Sequence, residues 1–181
     1  MHNRPGLFFI TLLLFYISSL LTSCTSLLTT TMINPAVNNL QKQSDIELVC
    51  EGSPSFLLMV DSLLESNPHN KALLVNGTQA YSGATAALVA CNTADERVAA
   101  LSSKARRYGK RLLSFYLPLD NSNRDMLDSA LSELTLHNGP HLFWGAFGWL
   151  SWVQQQQGSP ASMADLIVIE KIMKLSLIHI S

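Results

Sequence analysis

The side chains able to do chemistry in this chain of 181 residues are few: five histidines, three cysteines and thirteen acids. His137 and His141 stand four apart, a spacing that suits two metal ligands on one helical turn. Gly139-Pro140 lies between them and prevents a shared helical face, so they read better as solvated helix-end residues. Asp125 and Asp128 read as first-turn charges suited to a helix dipole, not as an acid/base pair. The chain has no G-x-S-x-G, P-loop, H-E-x-x-H or G-x-G-x-x-G pattern. No catalytic residue and no metal site is therefore expected, and an enzyme is disfavoured. The densest charge is the run Lys104, Arg106, Arg107, Lys110 and Arg111, a pattern more often a solvated face than a ligand clamp. The densest aromatic group is Trp144, Trp149 and Trp152 with Phe143 and Phe147, interleaved with Gly145, Ala146 and Gly148. Trp144 and Trp152 share a helical face and Trp149 is offset, so this helix is central in a core or lines a cleft. Core packing is the better reading, with the glycines leaving part of the surface open to a ligand or partner.

Helices must position these groups. Ser53-Pro54 looks like a helix start, and Phe56, Leu57, Val60, Leu63 and Leu64 follow at helical spacing. The preceding Asp45 to Cys50 could be extended. Asn67-Pro68 ends that helix and Asn70 can cap the next. That next helix is rich in small residues (Gly77, Ala80, Gly83, Ala84, Ala86, Ala87), which allow close approach of a neighbour. Thr93 to Glu96 reads as a capping box opening a helix to about Tyr116. Short helices at Arg124 to Leu134 and Ala164 to Leu175 flank the tryptophan segment, His141 to Gln156. Helix after helix with brief connections gives an all-α fold of antiparallel pairs, with tetratricopeptide-like stacking as the natural arrangement.

Composition limits the function. Twelve basic residues against thirteen acidic give a net charge of −1. Without a basic field, nucleic-acid binding is not expected. The N-terminal part is distinct: after Arg4 no charged residue appears until Lys42, and Leu7 to Leu21 is almost wholly apolar. That is the layout of a secretory signal, and the apolar run is short for a membrane span. Leu21-Thr22-Ser23-Cys24 resembles the bacterial lipobox, which implies cleavage before Cys24 and a lipid on its thiol. No other cofactor is expected. Acyl chains together hold a protein on a bilayer at about 0.8 kcal/mol per buried methylene. Thr25, where an Asp would resemble an inner-membrane retention signal, implies the outer membrane facing the periplasm. The expected organisation is a signal at 1–23, a flexible tether at 24–44, a helical-repeat domain at 45–174 and a tail at 175–181. That tail, Leu175 to Ser181, resembles a translated sequencing adapter, which would make the native chain longer. In an oxidising compartment Cys50 and Cys91 could pair, or remain buried free thiols.

Several stretches together resemble one family. They are Leu48 to Leu64, the step Asn67-Pro68-His69-Asn70-Lys71-Ala72-Leu73-Leu74 leading to Gln79-Ala80-Tyr81, the block Arg97 to Leu113 with Ala105-Arg106-Arg107-Tyr108-Gly109, and Leu142-Phe143-Trp144 to Trp149. They look like the TatT family, the T components of tripartite ATP-independent periplasmic (TRAP) transporters. The resemblance implies an all-helical, tetratricopeptide-like fold with a central pore or cleft. It also implies a partner, the periplasmic substrate-binding P component, and small organic ligands. It carries over no catalytic residue. Arg106, Arg107, Tyr108, Trp144, Trp149 and Trp152 are the candidate cleft or interface residues. A helical-repeat envelope adaptor unconnected with transport is the alternative. Self-association is left open.

Overall fold

The computed structural model describes residues 29–119 and 124–178. The signal segment, Cys24 and residues 179–181 lie outside the described residues. Among those described the fold is all-α, without strands. A π-helical turn at Thr29–Ile33 leads into α1 (Asn34–Lys42). Then come α2 (Ile46–Ser66), α3 (Lys71–Ala90), α4 (Asp95–Leu113), α5 (Arg124–Ser132), α6 (Gly139–Gln154) and α7 (Pro160–Ile178). The last helix runs without a break through residues 175–178.

Three starts differ from the sequence expectation. Helix α2 begins at Asp45, whose carboxylate accepts from Leu48 N at 3.0 Å, so residues 46–50 are helical and not extended. Pro54 sits inside the helix, where it forgoes one backbone bond. Ser53 is buried, and its hydroxyl donates to Val49 O at 2.5 Å. At α4 the cap position is Ala94, with no side-chain hydrogen bond, so the Thr93 box does not form. Residues 29–42 are helical and packed where a flexible tether was expected. Ile33 and Val37, four apart on one face, are both buried, and Asn76 Nδ2 donates to Asn34 Oδ1 at 2.6 Å. Asn70 does cap α3, accepting from Leu73 N at 3.1 Å.

Consecutive helices pack on each other, α2 on α3 and α3 on α4. The largest interface is α4 with α6, and α7 then covers α6. The α4–α6 contact is set by glycines. A Cβ at Gly109 would strike the carbonyl of Gly145, and one at Gly145 would lie 2.6 Å from Leu113 Cγ. At Gly148 a Cβ would come within 2.7 Å of Ala105 O. Gly145 and Gly148 are thus buried in a helix crossing and leave no open surface, contrary to the sequence expectation. Two apolar clusters meet along α4. Leu57, Val60, Leu64, Leu74, Tyr81 and Leu112 belong to the first. Leu113, Leu142, Trp149, Ile169 and Ile172 belong to the second, with Leu127 and Leu131 of α5. A disulfide joins Cys50 of α2 to Cys91 at the end of α3, with Cα atoms 6.1 Å apart. No helix among the described residues is long and apolar enough to cross a membrane.

Candidate functional site

Helix α4 carries the basic run, and its periodicity sends the cations in different directions. Residues 104 and 108 lie on one side, and 106 and 110 on nearly the opposite side, at about 100° per residue. On the first side Lys104 Nζ pairs with Asp61 Oδ2 of α2. Tyr108 OH donates to Asp61 Oδ1. Lys104 Nζ also donates to Tyr81 OH of α3 at 3.3 Å, and the Tyr81 and Tyr108 rings lie 5.5 Å apart. Burial pushes the Asp61 carboxyl up, but hydrogen bonds from Lys104, Tyr108 and Tyr81 together outweigh it and hold the group below its ordinary 3.8. The two phenols move up, through burial first and the Asp61 carboxylate second. Both carboxylate oxygens are occupied, so this network joins three helices and offers no free base.

On the other side Arg106 Nη2 donates to Asp165 Oδ2 of α7 at 2.9 Å. Trp149 Nε1 donates to the same oxygen at 2.8 Å. The Arg106 guanidinium lies 3.8 Å from the Trp152 ring centre, and Lys110 Nζ stands 4.4 Å from that of Trp149. Arg106 Nε is buried without a hydrogen-bond partner. This cluster ties α4, α6 and α7 together.

The six candidate residues therefore divide. Arg106, Trp149 and Trp152 come together around Asp165, while Tyr108 belongs to the Asp61 network. Trp144 is half-buried against the first core cluster and stacks edge-on to Phe143 and Phe147 at 5.1 and 5.6 Å. Arg107 is exposed. Trp149 is fully buried, as the core reading of this helix expects. Asp61 and Asp165 were missed in the sequence because they act across 43 and 59 residues, where no local spacing signals a partner.

A third group closes the end of the bundle. Lys71 Nζ lies 5.1 Å from the Phe115 ring centre and 4.6 Å from that of Tyr116. His69 meets Phe115 edge-on at 6.2 Å. Tyr116 OH and His141 Nδ1 share a hydrogen bond of 2.8 Å. Burial lowers the His141 pKa, and the Lys71 and His137 charges lower it further. No cluster of His, Cys, Asp or Glu among the described residues could hold a metal ion.

Alongside α1 lie two adjoining apolar cavities of about 250 and 240 Å³ that share Leu40, Gln43 and Val49. The larger also meets Ala80, Gly83 and Ala84 of α3. The small-residue face of α3 is the sequence signal for it; α1 as its second wall was not foreseen.

No curated protein and no solved structure matches the chain. A family model described as the TRAP transporter T-component matches residues 42–178. That span takes in the disulfide, the Asp61 network and the Arg106–Asp165–Trp149 cluster. The chain is thus a member of the T-component family of TRAP transporters, with the accessory role in TRAP transport which that family implies.

Proposed function

We propose that this accessory protein faces the periplasm, is held to the outer membrane by lipid on Cys24, and engages the substrate-binding P component. The observation that carries the compartment is the Cys50–Cys91 disulfide, which joins two packed helices. Such a bond persists in the periplasm and is rare in a reducing cytosol. The apolar run before Cys24 and the Leu21-Thr22-Ser23-Cys24 pattern supply the export route and the anchor. Small organic ligands would lie in the cavities beside α1, whose walls carry amides and no charge. Of the candidate residues, Arg106 and Trp149 hold the bundle together, whereas Arg107 and Trp144 keep surface for a partner.

The test is expression of the full chain with an alkyne palmitate analogue, comparing wild type with Cys24→Ser. Label on wild type alone, co-fractionating with outer membrane, is the expected result. A second arm captures the P component encoded by the same genome on the immobilised protein. An unlabelled wild type overturns the anchor. Failure of the wild type to retain the P component overturns the partner.

A further inference from the structure

Among the described residues, the ion pairs use some of the cations of α4 and α7 and leave others without a carboxylate. Lys104 and Arg106 are paired with Asp61 and Asp165, and on α7 Lys171 and Lys174 are paired with Asp128 and Glu170. Arg107 and Arg111 have no carboxylate partner among the described residues, and Lys71 has aromatic rings in place of one. Glu65 and Arg107 both act on Tyr108 through their charges, but no ion pair joins them among the described residues. Arg107, Arg111 and Phe115 stand four apart along α4 and the turn that continues it, so they form one stripe. Phe115 is 39% exposed in spite of its size. Lys71 lies over its ring and exposed His69 meets its edge. An exposed aromatic under a lysine ammonium, with two arginines one and two turns back along the same helix face, has the composition of an interface centre, where Arg and aromatics concentrate.

We propose that the stripe Arg107–Arg111–Phe115, flanked by Lys71 and His69, is the surface on which this protein receives an acidic face of the P component. The inference rests on the partner proposed above and adds where it binds and by what charge. Arg107 and Arg111 steer and orient the acidic partner, and Phe115 supplies the apolar contact. Such a surface is salt-sensitive.

The test measures the dissociation constant of the purified P component on wild type, Arg107→Glu/Arg111→Glu, Phe115→Ser and Lys174→Glu. Salt is varied from roughly 50 to roughly 300 mM. The double charge reversal is expected to weaken binding roughly tenfold or more and to flatten the salt dependence. Phe115→Ser weakens binding at every salt concentration, and Lys174→Glu leaves it unchanged. Circular dichroism of the double variant keeps the wild-type helical signal, and its thermal midpoint falls only slightly, because a carboxylate at position 111 opposes the dipole in the last turn of α4. Wild-type binding that the double reversal leaves intact overturns this surface and spares the partner. Absence of wild-type binding overturns both. Sedimentation with phosphatidylglycerol vesicles that the reversal abolishes, with partner affinity unchanged, identifies a lipid contact and also overturns the proposal.

Discussion

Replacing both Cys50 and Cys91 by serine removes the bond that joins α2 to the end of α3. The bond closes a loop with a sequence separation of 41. In the chain-entropy treatment, opening such a loop returns about 13 cal/mol/K to the unfolded ensemble, or about 4 kcal/mol at 25 °C. Both cysteines are half-buried, Cys50 within α2 and Cys91 at the C-cap of α3, so a serine hydroxyl is tolerated in the folded state and the effect falls mainly on the unfolded chain. Against a typical domain stability of about 5–15 kcal/mol, the loss is large. The assay is equilibrium urea unfolding of the domain carrying Cys24→Ser, followed by far-ultraviolet circular dichroism. It is run oxidised, reduced, and as the double serine variant. The oxidised protein exposes no thiol to Ellman's reagent, even after unfolding. The reduced protein and the serine variant share a midpoint well below that of the oxidised form. A stability difference under about 1 kcal/mol refutes the reasoning, because the loop term would then be absent or cancelled by strain. A free thiol in the oxidised protein refutes the pairing itself.

Other perturbations have equally defined outcomes. Gly109→Ala drives a methyl into the Gly145 carbonyl and should destabilise by about 1–3 kcal/mol. Gly83→Ala, with open space at its Cβ, should stabilise by about 0.5–1 kcal/mol; thermal melts compare the two. Asp61→Asn leaves Lys104 and Tyr108 without their charged acceptor and should cost about 2 kcal/mol by urea titration near neutral pH. Because the folded Asp61 carboxyl titrates below 3.8, its contribution is full above that pH and disappears as pH falls through the folded value. The Asn variant should therefore lose less stability on acidification. His141 is held below its ordinary 6.5, so the folded state favours neutral imidazole. Its share of stability is present above that pH and lost as pH falls through the folded value, and His141→Gln should flatten melting temperatures between about pH 7 and pH 5.

Helical spacing made much of this fold readable. The stripe Leu57, Val60 and Leu64 is buried where its periodicity puts it, and the Asn70 cap forms as its type suggests. Two other local signals misled. Ser53-Pro54 has the chemistry of a helix start, but Asp45 caps eight residues earlier and the helix carries the proline through. Thr93 has the right spacing to Glu96, yet the backbone turns at Ala94. Helix α1 was hidden by its composition. Its Ser, Thr and Asn surroundings read as a tether, while Ile33 and Val37 gain their stability only from contact with the rest of the bundle. Gly145 and Gly148 show the same limit. A glycine that exposes a surface and one that admits a neighbouring backbone look alike until the neighbour is in place. At the candidate site, residue types were legible, but the pairing of Lys104 with Asp61 and of Arg106 with Asp165 was not.

The docking of Ile33 and Val37 bears on how far the protein can stray from a bilayer. With lipid on Cys24 as proposed, only eight residues, or nine Cα steps, lie between the anchor point and Ile33, the first buried side chain among the described residues. Such a leash reaches at most about 32 Å, against about 75 Å were the chain free as far as Asp45. The body would then ride close above the headgroups and sweep a shallow cap of volume. A soluble partner would have to come to the membrane surface to meet it.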